Sequence, residues 1–411
     1  MTTPRRVLIA FRIPEALRDV LAGITAFAKQ HGRTWQLLCV DADEFEPNLV
    51  HHRADGAITA IRPQEDRLIQ RLRRGRTPVV NMLHDLLPRL SSVLSDDRAI
   101  GRAGCEYLLS KGFRSLAFLG VATPWSQRRH DGFTDAARAA GLPAPMALKP
   151  MDVTDFQFVS KVRAAAALRR WVRTLPPRAA AMAACDFAAR TLLDAALDSQ
   201  LRVPQDLAIL GVDNFHTLCE LSPVPLSSVA QDFEQMGFQA AALLDRLMTE
   251  PRKSTADRVL IPPARLHVRT STDVLAFEDP SVLTALRIIE SHAATGIAMK
   301  QLMRQLPLSR RWLDERFRKL VGRTASQEIR HCRLRFVRDL LEETDLPLRQ
   351  IAARCQFSCT ENFIRWFRAG AGVPPHAYRL SRRATGPFAQ SPPPFPPPTV
   401  FRGRAGEGAA V

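Results

Sequence analysis

At 411 residues the chain exceeds what one hydrophobic core usually organises, so two or three domains are expected. Hydrophobic residues make up 46% and charged residues 24%, a balance that excludes a disordered chain, and no apolar run approaches the eighteen or so residues of a membrane helix. The net charge of +17 is uneven: residues 1–279 hold 36 Lys and Arg against 31 Asp and Glu, whereas residues 280–383 hold 20 against 9. An excess confined to one segment suits phosphate neutralisation, because each Lys or Arg that meets a phosphate releases a condensed counterion.

The chain opens with Arg5-Arg6 and the apolar run Val7–Phe11, which stops at Arg12 and is too short for a signal peptide. From there short β-branched runs alternate with longer helical patterns. Val7–Phe11 precedes a helix over Leu17–His31; strands follow at Trp35–Val40 and Gly56–Ile61, a helix at Gln64–Arg74 and a strand at Pro78–Met82. The rhythm continues through Ile100–Gly112, Leu116–Gly120, Gly132–Ala140, Val159–Leu175, Ala179–Ala184, Ala188–Gln200 and Leu207–Val212. Such alternation predicts parallel sheets with helices on both faces, and the length suits two of them. Phe233–Met248 reads as helix, then Arg258–Ile261 and Arg265–Val268 as short strands around Pro262-Pro263.

From Pro280, a residue suited to a first helical turn, everything reads as helix. The expected organisation is a first domain over 1–275, an all-helical domain over 276–383 and a Pro-rich tail over 384–411 that cannot bury enough apolar surface to order itself. Seven scattered cysteines lack disulfide spacing and read as small core residues of a cytoplasmic protein. Cys355 and Cys359 have no second Cys/His pair nearby, so no metal is expected, nor any cofactor.

Two helix-turn-helix patterns fill the basic segment, one over Ala298–Leu320 and one over Leu348–Arg368. In the first, Leu313, Phe317 and Leu320 share one helical face, turning Arg310, Arg311, Asp314, Glu315 and Arg318 elsewhere. In the second, Phe363 and Phe367 anchor the helix and leave Thr360, Glu361, Asn362 and Arg365 to project. These types suit base edges in the major groove, where Arg pairs with guanine, Asn with adenine and Glu with cytosine. The helical pattern from Thr324 to Thr344 predicts a rod between the units, which would set them in successive major grooves, ~34 Å apart.

With Leu308-Ser309-Arg310-Arg311-Trp312-Leu313, Phe317, Gly322, Leu340–Thr344, Ile351-Ala352, Phe357-Ser358, Phe363, Phe367 and Pro374–Arg379, residues about 281–380 resemble an AraC/XylS-type DNA-binding domain. Members of that family usually carry Gly where Gln356 stands, so the second turn is expected to hold some backbone strain.

Residues about 5–272 resemble the sugar-binding core of LacI/GalR regulators, without the small N-terminal DNA-reading headpiece. The match is carried by Ser95–Gly101, Gly112-Phe113-Arg114 before Ala117–Gly120, Arg129–Phe133, Val203–Asp206 leading to Gly211-Val212-Asp213-Asn214, and Leu226–Gln231. Such a core ahead of an AraC-type domain is the order of XylR-like, xylose-sensing regulators. The resemblance implies an α/β two-lobed periplasmic-binding-protein-like sensor with parallel sheets, followed by an all-α double helix-turn-helix domain. It also implies a sugar held where the strand ends converge between the lobes. Matched residue by residue, the ligand contacts would be Arg129, Asp186, Asp213 and Gln231, with Asp96 equally suited to cap a helix and Arg12 suggested only by its place at the end of the first strand. Phe215-His216-Thr217 stands where pentose sensors tend to carry acidic residues, which leaves xylose itself open.

No nucleophile elbow, Walker loop, His-Glu-x-x-His or dinucleotide fingerprint points to catalysis, so no enzyme is expected. The alternatives are a sugar-hydrolysing or sugar-modifying enzyme fused to a DNA-binding domain, and a ligand-independent DNA binder. The expected partners are operator DNA, a sugar effector, a second copy of the chain and, for an activator, RNA polymerase.

Overall fold

The computed structural model describes residues 4–11, 13–41, 54–60, 77–82, 90–151, 161–250, 257–277 and 279–384. Arg12, the helical pattern Gln64–Arg74 and the Pro-rich tail beyond Ala384 lie outside the described residues. The chain forms two units, Met1–Val274 and Leu275–Val411.

The apolar run Val7–Phe11 is buried along its length, as a strand covered on both faces must be. It lies in β1 (Arg5–Phe11), from which α1 (Pro14–Gln30) leads to β2 (Trp35–Asp41), β3 (Gly56–Ala60), β4 (Val79–Met82) and β5 (Ser91–Ser95). The chain then passes to a second lobe through α2 (Asp97–Ser110), β6 (Leu116–Val121), α3 (Pro124–Ala139), β7 (Met146–Met151), α4 (Lys161–Val172), β8 (Ala179–Ala183), α5 (Asp186–Asp198), β9 (Leu207–Asp213), α6 (His216–Glu220) and β10 (Ser227–Ala230). It returns to the first lobe in α7 (Phe233–Thr249), which packs along α1, and in β11 (Arg258–Ile261). β12 (Leu266–His267) and a 3-10 turn at Thr270–Thr272 end the unit on the second lobe.

The first sheet runs β11-β5-β4-β3-β1-β2 and the second β12-β10-β9-β8-β6-β7, parallel throughout except for the antiparallel β12 edge. Three passages therefore join the lobes, at Asp96, at Gln231 and through Pro262–Arg265. They are bonded side by side: the Asp96 amide donates to the Ile261 carbonyl (2.7 Å) and the Ala264 amide to the Ala230 carbonyl (2.8 Å). The two-lobed, parallel-sheet arrangement agrees with the sequence reading. Three strands were not foreseen, β5, β7 and β10, two of them rich in serine.

The second unit is helical: α8 (Pro280–Ser291), α9 (Met299–Arg304), α10 (Arg310–Val321), α11 (Ala325–Glu343), α12 (Leu348–Arg354), α13 (Thr360–Ala371) and α14 (Pro375–Ala384). Its plan repeats after fifty positions. α10 recurs as α13, the fully buried Leu313 and Phe317 recur as Phe363 and Phe367, and Gly322 (φ 81°) recurs as Gly372 (φ 80°), each ending its helix in the left-handed conformation. Each half has its own apolar core, and α11 contributes to both: Cys332 to the first, Leu334, Val337 and Leu341 to the second. Thr324 caps α11 in a capping box with Gln327. Among the described residues no helix is long and apolar enough to cross a membrane.

Gln356, between α12 and α13, adopts φ 55°, the region that favours glycine. A left-handed non-glycine residue costs ~1–2 kcal/mol, and glycine gives back part of that gain through its unfolded-state entropy. Gln356→Gly is therefore expected to stabilise the helical unit by about 1 kcal/mol, read as a rise in its melting temperature. A fall would mean that the Gln356 side chain contributes more than its backbone costs.

Candidate functional site

The C-terminal ends of the second lobe's strands meet the passages between lobes, and there a polar cluster is buried. Its centre is Arg129 on α3, 4% exposed. α3 approaches α2 backbone to backbone through Gly132 and Gly101: a Cβ at Gly101 would lie 1.9 Å from the Arg129 carbonyl oxygen, so no larger residue fits. That closeness sets Arg129 Nε 3.0 Å from Asp97 Oδ1, while Arg128 Nε and Nη2 donate to Asp97 Oδ2 at 3.1 and 2.9 Å. Arg129 Nη1 donates to the Ala184 carbonyl at 2.5 Å and lies 3.5 Å from Asp213 Oδ1, and the Trp125 ring faces the guanidinium at 4.6 Å.

Asp213 ends β9 and is 9% exposed. It holds φ 111°, followed by Asn214 at φ 56°, two consecutive non-glycine residues in the left-handed region. Gln231, half-buried between β10 and α7, donates from Nε2 to Asp213 Oδ1 at 2.5 Å and accepts through Oε1 from Ser95 Oγ at the end of β5. A chain of hydrogen bonds thus runs from the first lobe through Ser95, Gln231, Asp213 and Arg129 to Asp97. Burial pushes the Asp213 carboxyl above the usual carboxylate range, against the pull of Arg129 and of the Gln231 and Arg129 hydrogen bonds. Burial also works against the charge of Arg129, but Asp97 and Asp213 hold its guanidinium above its ordinary value.

The structure brings Arg129, Asp213 and Gln231 together, gives Asp96 the helix cap that was weighed equally with a ligand contact, and corrects Asp186. Asp96 caps α2, accepting from the Ala99 amide at 3.0 Å. Asp186 is fully buried with both oxygens engaged inside the lobe: Ser228 Oγ donates to Oδ1 at 2.7 Å, and the Phe215 amide and Cys219 thiol donate to Oδ2 at 2.8 and 3.4 Å. Its carboxyl is pushed up by burial and by neighbouring Asp213. Arg12 lies outside the described residues. Asp97, Trp125 and Ser95 were missed. The Ser-Asp-Asp run carried a signal for Asp97, because when the first carboxylate caps a helix the second starts its first turn on another side.

In the helical unit Arg310, Arg311, Glu315 and Arg318 on α10 are exposed, as are Glu361, Asn362 and Arg365 on α13, with Thr360 half-buried. Asn362 donates to Ser358 Oγ at 2.8 Å. The amide of Glu361 itself, then the Cys359 thiol, hold the Glu361 carboxyl below its usual range. Asp314 is corrected: it accepts from the Ala325 amide at 3.2 Å at the start of α11 and sits 3.8 Å from Arg310, so it caps the connecting helix. Arg333 of α11 was also missed. Its guanidinium lies 4.0 Å from the centre of the Phe357 ring and 5.3 Å from that of Trp366, and Nη2 donates to the Cys355 carbonyl at 2.6 Å, fixing the second turn.

Removing one partner of a buried ion pair leaves the other charge uncompensated, at a cost of about 3 kcal/mol, whereas losing a helix cap costs about 1 kcal/mol. Asp97→Asn is therefore expected to destabilise the first unit by more than Asp96→Ala does. Equal losses in denaturant melts would demote Asp97 to a surface partner of Arg128.

Residues 105–272 match the model of a periplasmic binding protein-like domain, and residues 302–381 that of a helix-turn-helix domain. The xylose operon regulatory protein of Escherichia coli strain K12 is 28% identical over 391 residues, 92% of this chain and 97% of the relative. Its namesake from Haemophilus influenzae is 26% identical over 374 residues, 89% of this chain and 95% of the relative. A solved structure of the xylose-binding transcription activator XylR superposes with a TM-score of 0.58 at 28% identity, covering 92% of this chain and 98% of that one.

Proposed function

We propose that this chain, a XylR-like transcriptional regulator with a periplasmic-binding-protein-like sensor ahead of a helix-turn-helix DNA-binding domain, activates a carbohydrate operon in response to a pentose of the xylose type. The carrying observation is the buried Arg129–Asp213–Gln231 cluster at the passages between the lobes. A polyol needs fixed, charge-assisted partners, and this cluster offers a carboxylate, a carboxamide and a guanidinium within one hydrogen-bonded chain. Sugar hydroxyls take over the bond between Gln231 and Asp213 while Arg129 holds the carboxylate in place. Because that chain extends to Ser95 of the first lobe, the exchange alters how the lobes are joined, and a ligand that favours one lobe arrangement shifts the population toward it.

The protein works in the cytoplasm as a homodimer, since paired readers reward symmetric or tandem sites, and as an activator it contacts RNA polymerase. On DNA, Arg310, Arg311, Glu315 and Arg318 of α10 and Thr360, Glu361, Asn362 and Arg365 of α13 face the grooves, and the remaining Arg and Lys residues fix register on phosphates.

D-xylose is expected to raise the melting temperature of the full chain, and Asp213→Ala to abolish that rise while leaving DNA affinity unchanged. A hydroxyl donating to Asp213 favours the ionised carboxylate. Because the carboxyl pKa is raised in the free protein, D-xylose binding must release a proton as pH falls through it, and affinity drops by up to about tenfold per pH unit below it. Calorimetry between about pH 8 and about pH 5 reads this; a flat profile means that Asp213 does not change its charge on binding. Arg365→Ala is expected to cost ~1–3 kcal/mol of DNA affinity and relax base choice at one position, whereas a uniform loss across sequences would make it a phosphate contact.

A further inference from the structure

We propose that Arg269 is the positioning residue through which the state of the cleft reaches the segment leaving the first unit. The proposal rests on the sugar-responsive reading above and names how that response leaves the sensor.

Arg269 stands between β12 and the Thr270–Thr272 turn, five residues before Val274 ends the unit. Its side chain is 10% exposed and every nitrogen of the guanidinium is used: Nη2 donates to Asn214 Oδ1 at 2.9 Å, Nη1 to the Leu226 carbonyl at 2.9 Å, and Nε to Glu220 Oε1 at 2.5 Å. Asn214 follows Asp213 directly. The two share a peptide, and both are in the left-handed region, so a backbone rotation at Asp213 that brings its carboxylate to a sugar hydroxyl displaces the Asn214 carboxamide as well.

Beyond Arg269 the backbone has little freedom to absorb such a shift. The Arg269 amide donates to Ser227 Oγ at 2.8 Å and its carbonyl accepts from the same hydroxyl at 2.9 Å. Ser271, fully buried, donates from its amide to the Pro225 carbonyl at 2.9 Å and from Oγ to the Ile209 carbonyl at 2.6 Å. Thr272, also fully buried, is bonded to Ser227 Oγ at 2.6 Å and to the Tyr107 hydroxyl at 2.7 Å. The exit turn is thereby clamped to β9 and β10, the strands whose ends carry Asp213 and lead to Gln231. Packed, hydrogen-bonded elements move together, so displacement at one end of the clamp appears at the other. Arg269 joins the loop at the cleft to that clamp by a side-chain bond.

Asn214→Gly deletes the acceptor and allows φ 56°, while Asn214→Asp keeps an acceptor for the guanidinium. The full chain is assayed with D-xylose and with a duplex selected from random sequence by the unsubstituted protein. Asn214→Gly is expected to bind D-xylose and the duplex within about threefold of the unsubstituted chain, yet to lose the D-xylose-dependent change in duplex affinity, typically about 5–150-fold for an allosteric pair. Asn214→Asp is expected to keep that change. Retention of the full change by Asn214→Gly overturns the proposal. Should that variant not fold, Arg269→Lys, which cannot reach all three acceptors, is expected to show the same loss and is read in the same way. An unsubstituted chain with no response to D-xylose would sink the sugar reading instead. The coupling is then read without ligand: the Ser271 amide is expected to exchange with solvent about tenfold faster in Asn214→Gly than in Asn214→Asp, and equal rates overturn the proposal.

Discussion

A guanidinium that is 4% exposed has to be neutralised where it stands, because an unpaired charge removed from water costs several kcal/mol. Arg129 meets this demand with Asp97 on one side and Asp213 on the other, and the rest of the first unit is arranged so that both are within reach. The close approach of α2 and α3 through Gly101 and Gly132 supplies Asp97, the end of β9 supplies Asp213, and Gln231 ties the second carboxylate to the first lobe. The cluster sets two acids, Asp97 and Asp213, against two bases, Arg128 and Arg129, so it presents both acceptors and donors. Such a balance of charge suits a neutral polyol better than an ionic ligand, which would leave one side of the cluster uncompensated.

Much of this was legible in the sequence where periodicity and chemistry agree. Thr324 and Thr344 were read as the bounds of a rod and are the caps of α11, and the anchors Phe363 and Phe367 are fully buried. Strands of Val, Ile, Leu and Ala were found. β5 and β10, Ser91–Ser95 and Ser227–Ala230, were not, because serine has no hydrophobic signal and its burial is secured by hydrogen bonds that only the fold supplies, such as the Asp257 amide to Ser91 Oγ and Ser228 Oγ to Asp186.

The site residues divide on the same ground. The resemblance pointed to Arg129, Asp213 and Gln231, which the structure brings together, but it could not distinguish them from a carboxylate bonded wholly within its lobe. Asp186 is bonded to Ser228, Cys219 and the Phe215 amide, partners distant in sequence, and nothing in its neighbours along the chain announces them. Asp96 and Asp97 are adjacent and alike in chemistry, and one turn of geometry gives them different duties. Arg333 was hidden for a related reason: its aromatic partners, Phe357 and Trp366, lie beyond the end of its own helix.

The duplicated plan of the helical unit is not symmetric in one respect. Asp314 on the first reading helix is committed to the amide that begins α11, whereas the position fifty residues later is Ile364, which packs against the core of its half. A substitution at Asp314 therefore changes the reading surface and the start of the spacer together, whereas one at Ile364 changes the packing of its own half and leaves the bond at the start of α11 in place. The two halves thus share a plan but not a linkage: the first ties its exposed helix to the start of the spacer by a polar bond, and at the matching position the second has an apolar contact within its own core.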